Sequence, residues 1–199
     1  MLQIPRAILH IILFKMSPAK KVIEKDIERW VTETGYPDQS KIPELRSLVW
    51  LLWRCPPFRN LFYYRIAREE RVSSRVISEL AKFFYKPLDS LYIYALTIGA
   101  GLFIQHGFST IISAKSIGQN CWINQQVTIG FSNSSDTPTI GDNVYIAAGA
   151  KVFGGISIGS NSNIGANAVV FKDVPPNCTV VGVPGYIVKC DGKKVRRPL

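Results

Sequence analysis

The side chain best suited to acid–base chemistry is His106, one of two histidines in the chain. It lies in the stretch LFIQHGFSTIIS, residues 102–113. An imidazole titrates near neutral pH. It can therefore take the proton of a hydroxyl as that oxygen attacks, then protonate the leaving group. The other histidine, His10, sits in an apolar helical stretch far away in sequence. Cys121 is a conceivable acyl carrier, but its place in the repeat described next turns it inward as a core residue. No metal-ligand spacing links Cys55, Cys121, Cys178 and Cys190, so no metal is expected.

What positions His106 is a repeat. From Ile98 an aliphatic residue returns on a beat of six: IGAGLF, IQHGFST, IISAKS, IGQNCW, INQQVT, IGFSNSSDTPT, IGDNVY, IAAGAK, VFGGIS, IGSNSN, IGANAV, VFKDVP. Ten of these twelve lines are six residues long, and every line begins with Ile or Val. Gly stands second in six of them, and the fifth place is mostly small or apolar, Lys115 excepted. Six residues make one short strand and one corner. The first residue turns inward and stacks on its counterparts, and glycine permits the tight turn. Three units close a triangular coil. Twelve units therefore predict a left-handed parallel β-helix of about four coils.

A regular prism has no site, and this one breaks its beat twice. IQHGFST has one residue too many. The extra residue bulges the strand and turns a side chain out of the wall, with His106 the best placed. IGFSNSSDTPT has five too many and projects as a loop over residues 131–139.

The first 92 residues have a helical period instead. Ser17-Pro18 reads as N-cap and first helical residue. PAKKVIEKDIERWVTET continues that helix to Gly35 and Pro37. PELRSLVWLLWR is halted by Cys55-Pro56-Pro57. FRNLFYYRIAREE and SRVISELAKFFYKPLDSLYIY supply one or two more helices, with Pro87 ending or kinking the last. The Trp and Tyr residues here are expected to pack. The predicted class is α+β: a helical domain over 1–92, the β-helix over 93–188 and a basic tail over 189–199. Near the start, eight uncharged residues separate Arg6 from Lys15, too few to span a bilayer. That stretch reads as an amphipathic helix packed on its own protein, with membrane contact at most peripheral.

The formal charge is +10. Residues 1–92 carry 16 Lys and Arg against 10 Asp and Glu, and residues 93–199 carry 8 against 4. Much of the second excess lies in the tail, which reads equally as a frayed, solvated end. The basic residues form no aromatic-interleaved patch, so nucleic acid is not an expected partner. Without a cleavable leader or disulfide spacing, the expected setting is the reducing cytoplasm.

The array, its QHG step and the closing stretch IGANAVVFKDVPPNCTVVGVPGYIVK resemble the hexapeptide-repeat acyltransferases. Within that group the chain is most similar to serine acetyltransferases and their polysaccharide-modifying relatives, closely over roughly 93–190 and loosely over 1–92. The resemblance implies acetyl-CoA as co-substrate, His106 as general base, and a homotrimer, with a dimer of trimers as the larger option. It places the pantetheine arm in a groove between subunits lined by Gly130, Ala148 and Ala166. Lys172 and Lys189 would meet the nucleotide phosphates, and the Gly130 N–H would stabilise the oxyanion.

The family pattern is not fully kept. Gln105 stands where serine acetyltransferases carry Asp before the histidine. Leu91 stands where an orienting Asp is usual, although Asp89 is near. Asp136-Thr137 replaces an Arg-His pair in the loop. Gln105, Asp89, Asp136 and Thr137 are thus the expected acceptor-side residues. A neutral amide and a hydroxyl-rich loop suit a polyol. The expectation is an acetyl-CoA-dependent O-acetyltransferase acting on a saccharide in cell-surface polysaccharide synthesis. The alternatives are a serine O-acetyltransferase of cysteine biosynthesis and a non-enzymatic hexapeptide scaffold. The related zinc carbonic anhydrases need three histidine ligands, which one histidine in the array excludes.

Overall fold

The computed structural model describes residues 4–35, 44–68, 71–133 and 136–199. The chain divides into two compact units, Met1–Asp89 and Ser90–Leu199. The boundary falls three residues before the position expected from the repeat.

The first unit holds helices α1 (Ile4–Met16), α2 (Lys20–Thr34), α3 (Glu44–Arg54), α4 (Pro56–Ala67) and α5 (Val72–Phe84). The N-cap of α2 is Ala19 rather than Ser17, whose hydroxyl accepts the Ala19 N–H at 3.0 Å in the turn that leads into the helix. Gly35 closes it in the left-handed region, at φ 66°. Pro37 lies outside the described residues. Pro56 starts α4, where its missing N–H costs nothing. The helices bury Ile23, Ile27, Trp30, Leu51, Phe58 and Phe62 at one core. Trp53 departs from the packing expectation and is 47 % exposed.

Two polar clusters are sealed in that core. Arg65 donates to both oxygens of Asp26, Nε to Oδ2 at 2.9 Å and Nη2 to Oδ1 at 3.2 Å. His10 Nε2 lies 2.7 Å from the Tyr63 hydroxyl, which donates to the Tyr85 carbonyl at 2.9 Å. The hydroxyl proton is thus committed, so the Tyr63 oxygen accepts from His10 Nε2–H. Burial, with Arg59 adding to it, pushes the His10 pKa down to about 4, so the ring is neutral.

The second unit is a parallel β-helix of five coils rather than four. The first coil holds β1 (Leu91–Ile93), β2 (Thr97–Ile98) and β3 (Phe103–Ile104); the second, β4 (Thr110–Ile112), β5 (Ser116–Ile117) and β6 (Trp122–Ile123). The third holds β7 (Thr128–Gly130), β8 (Thr139–Ile140) and β9 (Tyr145–Ile146); the fourth, β10 (Lys151–Phe153), β11 (Ser157–Ile158) and β12 (Asn163–Ile164). The fifth holds β13 (Val169–Val170), a Val174 bridge to Ile158, and β14 (Cys178–Val181). The three faces are β1-β4-β7-β10-β13, β2-β5-β8-β11 and β3-β6-β9-β12-β14. Ile117, Ile140 and Ile158 stack in one column, and Ile104, Ile123, Ile146 and Ile164 in another. Each buried aliphatic side chain contributes about 1.5–3 kcal/mol.

The corners explain the glycines. Gly99 and Gly141 belong to one column, where a Cβ on either would come within 2.7 Å of backbone nitrogen in the next coil. Two residues further along the same corner, Asn143, Asn161 and Asn177 take positive φ (54°, 59° and 58°), which asparagine tolerates. Their amides form a ladder, Asn143 to Asn161 at 3.1 Å and Asn161 to Asn177 at 3.2 Å, ending on Asp191 at 3.0 Å.

The tail is not frayed. β15 (Tyr186–Cys190) and β16 (Lys193–Pro198) continue the third face as antiparallel strands beside β14. Cys178 and Cys190 face each other across β14 and β15 and are joined as a disulfide, against the expectation of a fully reduced chain.

Candidate functional site

The irregular step is larger than the sequence implies, because two isoleucines compete for the stacking place. Ile111 is 41 % exposed, whereas Ile112 is fully buried, in register with Ile129. Ile112, not Ile111, continues the column. Thr110 fills the inward slot before it, and its hydroxyl donates to the Phe108 carbonyl at 3.1 Å.

Inside this bulge the Gly107 N–H donates to the Gln105 carbonyl at 2.8 Å, closing a three-residue turn. His106 is the apex, exposed and at φ 63°. A positive φ costs an L-residue about 1–2 kcal/mol, and such strain gathers where a side chain must be aimed. The ring hydrogen-bonds to no described residue. The Asp89 carboxylate pairs with Lys86 at 2.8 Å in the helical unit. Gln105 is half-buried beside the turn.

The bulge stands at the foot of a corner column. The Phe108 carbonyl accepts the Gln126 N–H (3.0 Å), the Gln125 carbonyl accepts the Gly149 N–H (3.0 Å), and the Ala148 carbonyl accepts the Asn167 N–H (2.9 Å). Gln125, Ala148 and Ala166 therefore rise coil by coil from the His106 turn. The N–H groups of Ala148 and Ala166 are unbonded among the described residues, Ala148 half-buried and Ala166 exposed. Gln125 Oε1 is buried without a partner. The sequence reading missed Gln125, whose amide looks like any other polar corner residue. The column thus offers open donors and one orphan acceptor, a surface that fits an amide-bearing chain.

The other expected residues are more scattered. Gly130 ends β7, buried and in register with Phe153 of β10. Asp136 is bound into its own loop. It takes the N–H and hydroxyl of Ser132 (2.9 and 2.7 Å) and the N–H and amide of Asn133 (both 2.9 Å). These bonds, led by the Asn133 N–H, hold its carboxyl below the usual range. Asp136 is the clamp of the projecting loop, of which residues 134 and 135 lie outside the described residues. Thr137 follows it, half-buried. Lys172 follows β13 and donates to the Leu199 carbonyl at 2.7 Å. It lines a cavity of about 200 Å³ with Val169, Phe171, Pro184 and Pro198. Lys189 is exposed in β15, on the third face. Cys121 is buried, and its thiol is pushed up to about 11 by that burial. No cluster of three or more metal-ligating side chains occurs among the described residues.

Residues 137–172 match the family described as bacterial transferase hexapeptide (six repeats). A serine acetyltransferase of Staphylococcus aureus is 47 % identical over 142 residues, 68 % of this chain and 65 % of its own length. One from Staphylococcus epidermidis is 43 % identical over the same shares. The chain thus spans 65 % of the length of these curated relatives. A match over 68 % of the chain necessarily includes the bulge. The crystal structure of Neisseria gonorrhoeae serine acetyltransferase in complex with serine superposes with a TM-score of 0.58 at 29 % identity, covering 83 % of this chain and 67 % of that one. That of the Brucella abortus enzyme gives 0.65 at 24 % identity, covering 92 % and 74 %, a likeness of fold.

Proposed function

We propose that the chain is an acetyl-CoA-dependent O-acetyltransferase with L-serine as acceptor. The observation that carries the chemistry is the three-residue turn that holds His106 exposed at the foot of a column of open corner amides. His106 takes the acceptor hydroxyl proton as the oxygen attacks the thioester carbonyl. Donors of the column meet the developing oxyanion, the thiolate leaves, and the imidazolium protonates it. Ala148 and Ala166 suit the column better than Gly130 suits oxyanion binding, because Gly130 is buried within β7. Lys172 and Lys189 serve the nucleotide phosphates. Leu96 at 60 % and Phe171 at 52 % exposed leave apolar surface on the β-helix. That supports assembly into a trimer, which would complete the donor groove.

The acceptor rests on the likeness to proteins named serine acetyltransferase, which displaces the saccharide expectation. Nothing in the comparisons supports a role in cell-surface polysaccharide synthesis. One observation keeps an uncharged acceptor as the second reading: Gln105 stands in place of an Asp and Asp136-Thr137 in place of an Arg-His pair, so neither group that would pair serine's charges is present.

The test is acceptor-dependent release of CoA from acetyl-CoA, with L-serine compared against a panel of sugars and nucleotide sugars. Serine should exceed every sugar. A sugar exceeding serine would transfer the reading to the uncharged acceptor. No release with any hydroxyl compound would overturn the enzyme itself.

A further inference from the structure

The helical unit carries an apolar face that its own core does not use. In α5 the inward residues are the small ones, Ser74, Ser78 and Ala81. Val76, Leu80 and Phe83 point outward, Phe83 at 87 % exposure. A helix normally buries its large apolar side chains and exposes polar ones, so α5 is inverted. The adjoining α1 buries Ala7, His10, Leu13 and Phe14, yet Ile4, Ile8 and Ile12 on its other side are exposed. Two hydrogen bonds set the helices antiparallel. Arg6 Nη2 donates to the Phe84 carbonyl (3.5 Å) at one end, and Arg71 Nη1 to the Met16 carbonyl (3.3 Å) at the other. On these adjacent antiparallel helices the isoleucine row spans about 12 Å and the Val76–Leu80–Phe83 row about 10 Å, at about 1.5 Å per residue.

Charge selects what covers this face. Along α1 and α5 the cations are Arg6, Lys15, Arg75 and Lys82, and the one acid is Glu79, already paired with Lys82. A second copy laid on the same face would bring like charges together. Anionic headgroups would complement them. Paired helices with large apolar side chains outward and arginine and lysine beside them suit the plane of a lipid interface, where the basic tips reach phosphates. No described helix is long and apolar enough to cross a membrane, so the contact lies in that plane. We propose that the α1–α5 face docks the protein on an anionic lipid surface. This does not rest on the acceptor or on the catalytic reading.

The test is flotation of the full chain with vesicles of phosphatidylcholine and phosphatidylglycerol in equal parts, against vesicles of phosphatidylcholine alone. The protein should float with the first and stay behind with the second. Leu80→Glu with Phe83→Glu should abolish flotation without changing the circular dichroism, since both residues are exposed. Lys15→Gln and Arg75→Gln should each weaken it roughly fivefold. Absence of flotation with anionic vesicles, or equal flotation with neutral ones, would overturn the proposal. So would a fall in assembly mass by light scattering for the double variant, which would assign the face to a second copy.

Discussion

The two units handle polar groups in opposite ways. In the helical unit they are sealed in and spent: Asp26 on Arg65, His10 on Tyr63, each cluster joining two helices. In the β-helix the interior is mostly aliphatic, with Thr110, Asn124 and Ser162 as buried exceptions, and His106 is presented by breaking the repeat. The two histidines make the contrast concrete. His10 is buried, held neutral and silenced by its surroundings. His106 is exposed, bonded to no described residue, and placed by backbone geometry. A buried polar group stabilises only while every partner is present. A bulged one can do chemistry while contributing little to folding.

Breaking the sealed side should have the largest effect. Asp26→Ala leaves the buried Arg65 guanidinium without its carboxylate, at a cost of about 3–5 kcal/mol. Urea unfolding followed at the helical signal should show it, while the β-helix transition stays in place. Next comes acid. The folded-state pKa of His10 is lowered to about 4 from 6.5. Its contribution is therefore whole above pH 6.5 and is lost as pH falls through 6.5 toward 4. At about 1.4 kcal/mol per pH unit the loss amounts to roughly 3 kcal/mol. His10→Phe should flatten that dependence in a series of denaturation curves.

Two smaller effects belong to the β-helix. Gly141→Ala pushes a methyl into the next coil at Ser160, and should lower β-helix stability by about 1–3 kcal/mol while sparing the helices. Lys172→Ala and Lys189→Ala should each raise the KM for acetyl-CoA roughly fivefold with little change in kcat, as expected for exposed charges that bind ground and transition states alike. Unchanged KM in both would remove them from the donor site.

The β-helix was legible because its beat encodes one structural unit many times, and the five-helix unit because its stops at Gly35, Pro56 and Pro87 are chemically unambiguous. What escaped has physical reasons. Ile111 and Ile112 are the same residue, so composition could not say which one stacks. The first coil begins at Leu91 and the last ends at β14, both outside the regular beat, which hid the fifth coil. Lys193–Pro198 buries no side chain and is held through its pairing with β15, so its pattern reads as a loose tail. The clamping of the loop by Asp136 was also missed. Ser132 and Asn133 before it carried the signal of a side-chain-clamped turn.

The central claim is that the bulge exists to present His106. The most direct measurement is kcat for His106→Gly, taken together with its thermal midpoint. Glycine accepts φ 63° without strain and removes the ring. The account predicts a fall in kcat of roughly 100- to 10,000-fold, an unchanged KM for acetyl-CoA, and a midpoint equal to or above that of the unaltered chain. Activity within a few-fold of normal, or a clear loss of stability, would contradict it.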